Sequence, residues 1–240
     1  MTPPDTENPF RIDGGPRHAL VRPKDAASLV LVKHEAGGIR VLMGERAKGH
    51  FFLPGRFVFP GGRVDACDWR LAVPTDLRPE VRAKVAAGTT PAKARALGLA
   101  AIRETFEETG VLVGALTASP PRTRAEPWRR FFAEGAVPVL EALDFIARAI
   151  TPPGRPRRFD ARFFMADAGH IAKSLGETRT SGELLKPVWL TLKEAHAADV
   201  LPITRVVLKE VEARLTDRPD PARPVPFYIP RAGKAVVRLL

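Results

Sequence analysis

Three carboxylates stand close together in the segment Arg103-Glu104-Thr105-Phe106-Glu107-Glu108-Thr109-Gly110. Spaced i, i+3 and i+4, Glu104, Glu107 and Glu108 share one face of a helix. At about 100° per residue, Leu99, Ile102 and Phe106 form a separate apolar stripe. Acidic helix faces of this kind are usually no more than solvated surface. Two costs argue for more here. Like charges at this spacing cost a helix about 0.2–0.5 kcal/mol per pair, and no Lys or Arg follows one turn later to relieve them. Glu107 and Glu108 also lie in the last turn, where the helix dipole disfavours negative charge. A bound cation would offset both. Hard divalent ions such as Mg²⁺ take oxygen ligands, typically a few carboxylates together with water and a substrate phosphate.

The elements that position these acids can be read from local signals. Pro91 follows Thr90, a good N-cap, and Gly110 is a natural C-terminal stop, so a helix is expected over 92–109. Upstream, Ala27 to Lys33 and Ile39 to Met43 flank Gly37-Gly38 as a β-hairpin. Phe57 to Phe59 is a short strand stopped by the turn Pro60-Gly61-Gly62, where glycine lets the backbone approach another group closely. From Arg63 to about Pro91 the pattern is irregular, with short helical possibilities. Downstream, strands are expected at 111–116, 145–150, 158–166 and 187–192. Helices are expected at 128–134, 139–142, 193–199 and 203–215, and a terminal hairpin at 227–229 and 235–239. Residues 1–24 read as a flexible arm. Residues 25–240 read as one α/β domain with a mixed sheet.

The glycine turn and the acidic helix together resemble the Nudix hydrolase family. Its signature is G-x5-E-x7-R-E-U-x-E-E-x-G-U, with U a bulky aliphatic residue. Gly62 is followed after five residues by Asp68, and residues 103–111 match the second half, with Thr105 at the first U. Asp68 stands where the family has Glu. Thirty-four residues, 69 to 102, lie where the family has seven. The extra 27 residues, centred on 69–92, are expected to loop out, since long surface insertions cost little in closure entropy. An interrupted signature led by Phe59-Pro60-Gly61-Gly62 is similar to the branch that includes the peroxisomal coenzyme A diphosphatases. The run Val41 to Arg46 loosely resembles the coenzyme A motif of that branch.

The resemblance implies a Nudix-like α/β/α sandwich and a Mg²⁺- or Mn²⁺-dependent diphosphatase acting on a small nucleotide-like substrate. By position it implies that Glu104, Glu107 and Glu108 are metal ligands, that the Gly61 carbonyl adds another, and that Arg103 orients a ligating Glu. A further carboxylate outside the signature is expected, Glu183 first and Glu177 in reserve, as general base or ligand. Arg46, Gly61 and Gly62 are the substrate-binding candidates. The Arg-rich segment 152–159 is a second place for an anion to bind. Coenzyme A or an acyl-coenzyme A is the favoured substrate, with ADP-ribose, dinucleoside polyphosphates and NADH as alternatives.

Composition narrows the remaining classes. At 45% apolar and 27% charged residues the chain is ordinary globular protein. No apolar run is long enough to cross a membrane, and no secretory leader is visible. The single cysteine, Cys67, fits a reducing cytoplasm. The net charge of +11 fits an anionic partner or plain solubility. No helix-turn-helix, zinc-finger or RNA-binding signature supports a nucleic-acid partner. A non-catalytic ligand-binding or regulatory module on the same fold is the other reading, prompted by Asp68, Thr105 and the insertion. A homodimer is left open. The five histidines lack metal-ligand spacing, and Trp128, Trp189 and Tyr228 read as packing residues.

Overall fold

Alternate side chains of the first strand are apolar on both faces, and that requires a layer on each side of it. In the computed structural model, residues 21–46, 55–176, 184–217, 220, 222–231 and 234–240 are described. Strand β1 (Lys24–Glu35) turns at Gly37-Gly38 into β2 (Gly38–Arg46), with Val32 opposite Val41. Leu29 and Leu31 point to one face, Val30 and Val32 to the other, and all four are buried. Beyond β2 come β3 (Phe57–Val58) and β4 (Gly61–Arg63). The Gly61-Gly62 turn expected from sequence is therefore a short strand, paired through Ser28↔Gly61 and Ala27↔Gly62 to β1.

The segment after β4 forms two helices, α1 (Ala66–Arg70) and α2 (Pro79–Val85). They lead into the long helix α3 (Pro91–Thr109), capped by the Thr90 side chain and closed by left-handed Gly110. The insertion does not loop out. Leu71, Leu77, Val81 and Val85 are buried in the same core as Leu97, Leu99 and Ile102 of α3. An insertion with apolar residues at helical spacing gains more by packing than by remaining in solvent.

Strand β5 (Val111–Leu116) and helix α4 (Glu126–Ala133) follow, then β6 (Ala136–Pro138) and a 3-10 turn at Leu140–Ala142. Strands β7 (Asp144–Ile150) and β8 (Phe159–Asp167) precede a second 3-10 turn, Ala168–His170, and β9 (Ile171–Ser174). The chain ends with β10 (Leu184–Thr191), α5 (Leu192–Ala197), α6 (Pro202–Thr216) and the hairpin β11 (Pro226–Arg231) and β12 (Lys234–Leu239).

Among the described residues a nine-stranded sheet runs β10-β2-β1-β8-β7-β11-β12, with β3 on β2 and β4 on β1. It is mixed: β1 and β8 are parallel, as are β11 and β7. A smaller antiparallel sheet, β6-β5-β9, lies beyond α3. Helix α3 covers one face of the large sheet through Leu29, Leu31 and Leu42. Helix α6 covers the other through Val207, Leu208 and Val211 against Val30, Val41 and Met43. This is an α/β/α sandwich with a mixed sheet, as the sequence led one to expect.

Helix α3 departs from the amphipathic picture. Ala94, Leu97, Leu99, Ala101, Ile102 and Thr105 are all fully buried, so the helix is sheathed on nearly every side. The second sheet and helices α1, α2 and α4 enclose what would have been its exposed face. Thr105, standing where the resemblance calls for a bulky aliphatic residue, satisfies its hydroxyl by donating to the Ala101 carbonyl at 2.8 Å.

Candidate active site

Over the N-terminal halves of the parallel strands β1 and β8, beside the start of α6, lies a cleft of about 1100 Å³. Its floor is the alternating face Ala26, Ser28, Ala161 and Phe163. One wall is β4 with Glu104 and Glu107 of α3, and another is the start of α6. The loop from Thr151 to Phe159 closes the third side, bringing Arg157 and Arg158 to the rim.

The acids reach the cleft past an edge strand that has almost no side chains. A Cβ placed on Gly62 would lie 2.5 Å from the Glu104 carboxylate, and one on Gly61 would lie 2.4 Å from Ser28 Oγ. At Gly61 the near atoms include backbone, so glycine is required there; at Gly62 the near atoms are a carboxylate that a larger residue would displace. The Gly61 N–H donates to Glu108 Oε2 at 2.9 Å, tying the end of α3 to β4. Glu108 is thus buried against the strand, while Glu104 and Glu107 face the cleft.

Arg103 lies behind this pair. Its Nη1 donates to Glu104 Oε1 at 2.9 Å and to Glu107 Oε2 at 3.2 Å. Its Nε and Nη2 donate to the two oxygens of Asp68 at 2.9 and 3.0 Å, and Nη2 also donates to the Arg63 carbonyl. Asp68 accepts further from Trp128 Nε1 at 3.1 Å and from the Asp65 N–H at 2.8 Å, the latter closing a capping box on α1. Asp68 is fully buried. It is the anchor of the arginine, a role that sequence reading left unassigned. The signal for it was its place after the five residues that follow Gly62.

Burial pushes the Glu104 carboxyl up to about 7, against the pull of Arg103, and pushes Glu107 up as well. The carboxylates hold the Arg103 guanidinium firmly in its charged form. Burial pushes the Cys67 thiol up to about 12, so it is a poor nucleophile.

Among the described residues, no three His, Cys, Asp or Glu side chains are arranged to enclose an ion. Glu108 is turned to Gly61, and Arg103 occupies one oxygen each of Glu104 and Glu107. The donor set nonetheless fits a hard cation. Glu107 Oε1 is buried with no hydrogen-bond partner among the described residues, and the two cleft carboxylates are all-oxygen donors.

Of the residues singled out from sequence, Arg103, Glu104, Glu107, Gly61 and Gly62 meet at this cleft. Glu183 and Glu177 lie outside the described residues, as does the side chain of Arg46, whose backbone ends β2 opposite Leu184. No histidine lines the cleft among the described residues.

The fold is that of the Nudix hydrolases. The chain is similar to a Nudix hydrolase from Alicyclobacillus acidocaldarius, with 29% identity and a TM-score of 0.62, over 80% of this chain and 91% of that one. Weaker likenesses are to the Nudix domain of Shewanella oneidensis NrtR in complex with ADP ribose, 13% identical with a TM-score of 0.49, covering 82% and 90%. The M. smegmatis Nudix hydrolase RenU is 18% identical with a TM-score of 0.43, covering 82% and 90%. No family model matches the chain. The first similarity, with the glycine edge and the acids of α3, supports an enzyme of the Nudix type.

Proposed function

We propose that this chain is a divalent-metal-dependent hydrolase of the Nudix type that cleaves the diphosphate linkage of a nucleotide-like substrate, with coenzyme A or an acyl-coenzyme A as the favoured substrate. The observation that carries the reading is the desolvated pair Glu104 and Glu107, held by Arg103 at the wall of a nucleotide-sized cleft. The substrate preference rests on the interrupted signature and on the run Val41 to Arg46.

Mg²⁺ or Mn²⁺ would be held by Glu104 and Glu107, with Glu108 as a third ligand once released from Gly61. Such an ion neutralises phosphate charge and lowers the pKa of bound water. The chain's own contribution is positioning. Asp68 fixes Arg103, Arg103 fixes the two carboxylates, and Gly61-Gly62 leave room for them at the strand edge. Arg157 and Arg158 offer donors to anionic parts of the substrate, and Arg46 is a further phosphate contact. Glu183, or Glu177 in its place, supplies the general base. The single cysteine supports a cytoplasmic location.

The test is a panel of coenzyme A, an acyl-coenzyme A, ADP-ribose, a dinucleoside polyphosphate and NADH, each with Mg²⁺ and with Mn²⁺. Wild type should hydrolyse at least one of them, and Glu107→Gln should lose turnover while its circular dichroism stays native. No hydrolysis with either metal would leave a binding module, and wild-type rates in Glu107→Gln would remove Glu107 from the site.

A further inference from the structure

Trp69 is 45% exposed, an uncommon setting for an indole. It belongs to α1, within the stretch that interrupts the signature, and it lines the cleft together with Arg63, Glu104 and Glu107. Its mount is rigid. The preceding residue, Asp68, is fully buried and bonded to Arg103, Trp128 and the backbone of Asp65. The route from the Glu104 carboxylate through Arg103 and Asp68 to the Trp69 backbone is at most about 15 Å in chain and hydrogen-bond dimensions. A large flat side chain is therefore held in water at a set distance from the acids.

The surroundings indicate what it would meet. Arg63 and Arg157 are exposed on the same cleft, where Arg63 acts only through space on the Asp65 carboxylate. Val21, another exposed apolar residue, also lines it. The cleft thus presents carboxylates at one wall, guanidinium groups at the rim and an indole face beside them. This order matches a ligand with an anionic middle and a planar end.

We propose that Trp69 stacks on the planar base of the substrate, making the insertion a base-binding subsite, with Arg63 meeting the adjoining phosphate. The position of the phosphates rests on the hydrolase reading above. The base site can be tested without turnover.

The chain has three tryptophans, of which Trp128 is fully buried and Trp189 is half-buried, so quenching by a cleft ligand reports mainly on Trp69. The full-length protein in EDTA is titrated with AMP and, separately, with ribose 5-phosphate. AMP should quench the fluorescence saturably, and ribose 5-phosphate should not. By equilibrium dialysis Trp69→Leu should lose most AMP affinity, and Trp69→Phe should keep a measurable part of it. With any diphosphate that is turned over, Trp69→Leu should raise KM about ten-fold or more, the usual scale of one base–aromatic stack, with kcat within about two-fold. Undiminished AMP binding in Trp69→Leu would overturn the proposal. So would a KM penalty that follows an acyl tail instead of the base. Saturable AMP quenching without hydrolysis of any diphosphate would keep the base site and remove the hydrolase reading.

Discussion

Asp68 shows how much one side chain can decide. As a shortened replacement for a signature Glu, it has no role that the sequence alone assigns. In the fold it is a fully buried acceptor of a two-pronged bond from Arg103. Removing one member of a buried ion pair leaves the other charge uncompensated, which costs about 3–5 kcal/mol. Asp68→Asn is therefore expected to lower unfolding free energy by about that amount in urea titration. Turnover should fall too, because Arg103 would lose the anchor that aims it at Glu104 and Glu107. A loss below about 1 kcal/mol, the scale of one ordinary hydrogen bond, would show that the anchor is dispensable.

Between elements, the decisive contact is β4 against α3. Gly62 faces α3 and Gly61 faces Ser28, so a methyl group at each position meets something different. At Gly62 the obstacle is the Glu104 carboxylate, the end of a flexible side chain. Gly62→Ala should therefore displace Glu104, reducing divalent-metal affinity and turnover by at least about ten-fold while the melting temperature changes little. At Gly61 the obstacles include the Ala27 carbonyl at 2.5 Å, which cannot move aside cheaply. Gly61→Ala should instead lower the melting temperature by several degrees. Equal effects of the two substitutions in a thermal melt and a metal titration would contradict this division. The acidic helix was legible from Thr90, Gly110 and the Glu spacing because those are local signals. The edge strand was not, because Gly-Gly reads as a turn until β1 supplies a partner.

For the whole molecule, the sign of the pH response follows from Glu104. Its carboxyl is raised to about 7 in the folded chain, so the native state holds a proton that the unfolded state releases from about pH 4.5 upward. Stability from this group is present at low pH and declines as pH rises to about 7. Glu107 shifts in the same direction. A metal held as proposed would displace that proton, so its binding should tighten as pH rises through about 7. Thermal melts in EDTA and in excess Mn²⁺, at about pH 5.5 and about pH 8, should show greater metal stabilisation at the higher pH. Glu104→Gln should flatten the difference. Metal stabilisation that does not vary with pH would mean that Glu104 is not where the ion and the proton compete.

The sequence alone determined the apolar alternation of β1 and β2, the caps and length of α3, and an α/β domain with a mixed sheet. Each depends on neighbours a few residues apart, whose preferences the chain carries with it. Only the tertiary structure decided that the insertion joins the core, that Glu108 turns to Gly61 while Glu104 and Glu107 face the cleft, and that Asp68 anchors Arg103. Those outcomes join residues 35 and 47 positions apart. Contacts at that separation form only when packing has excluded water and left each buried charge to find its partner.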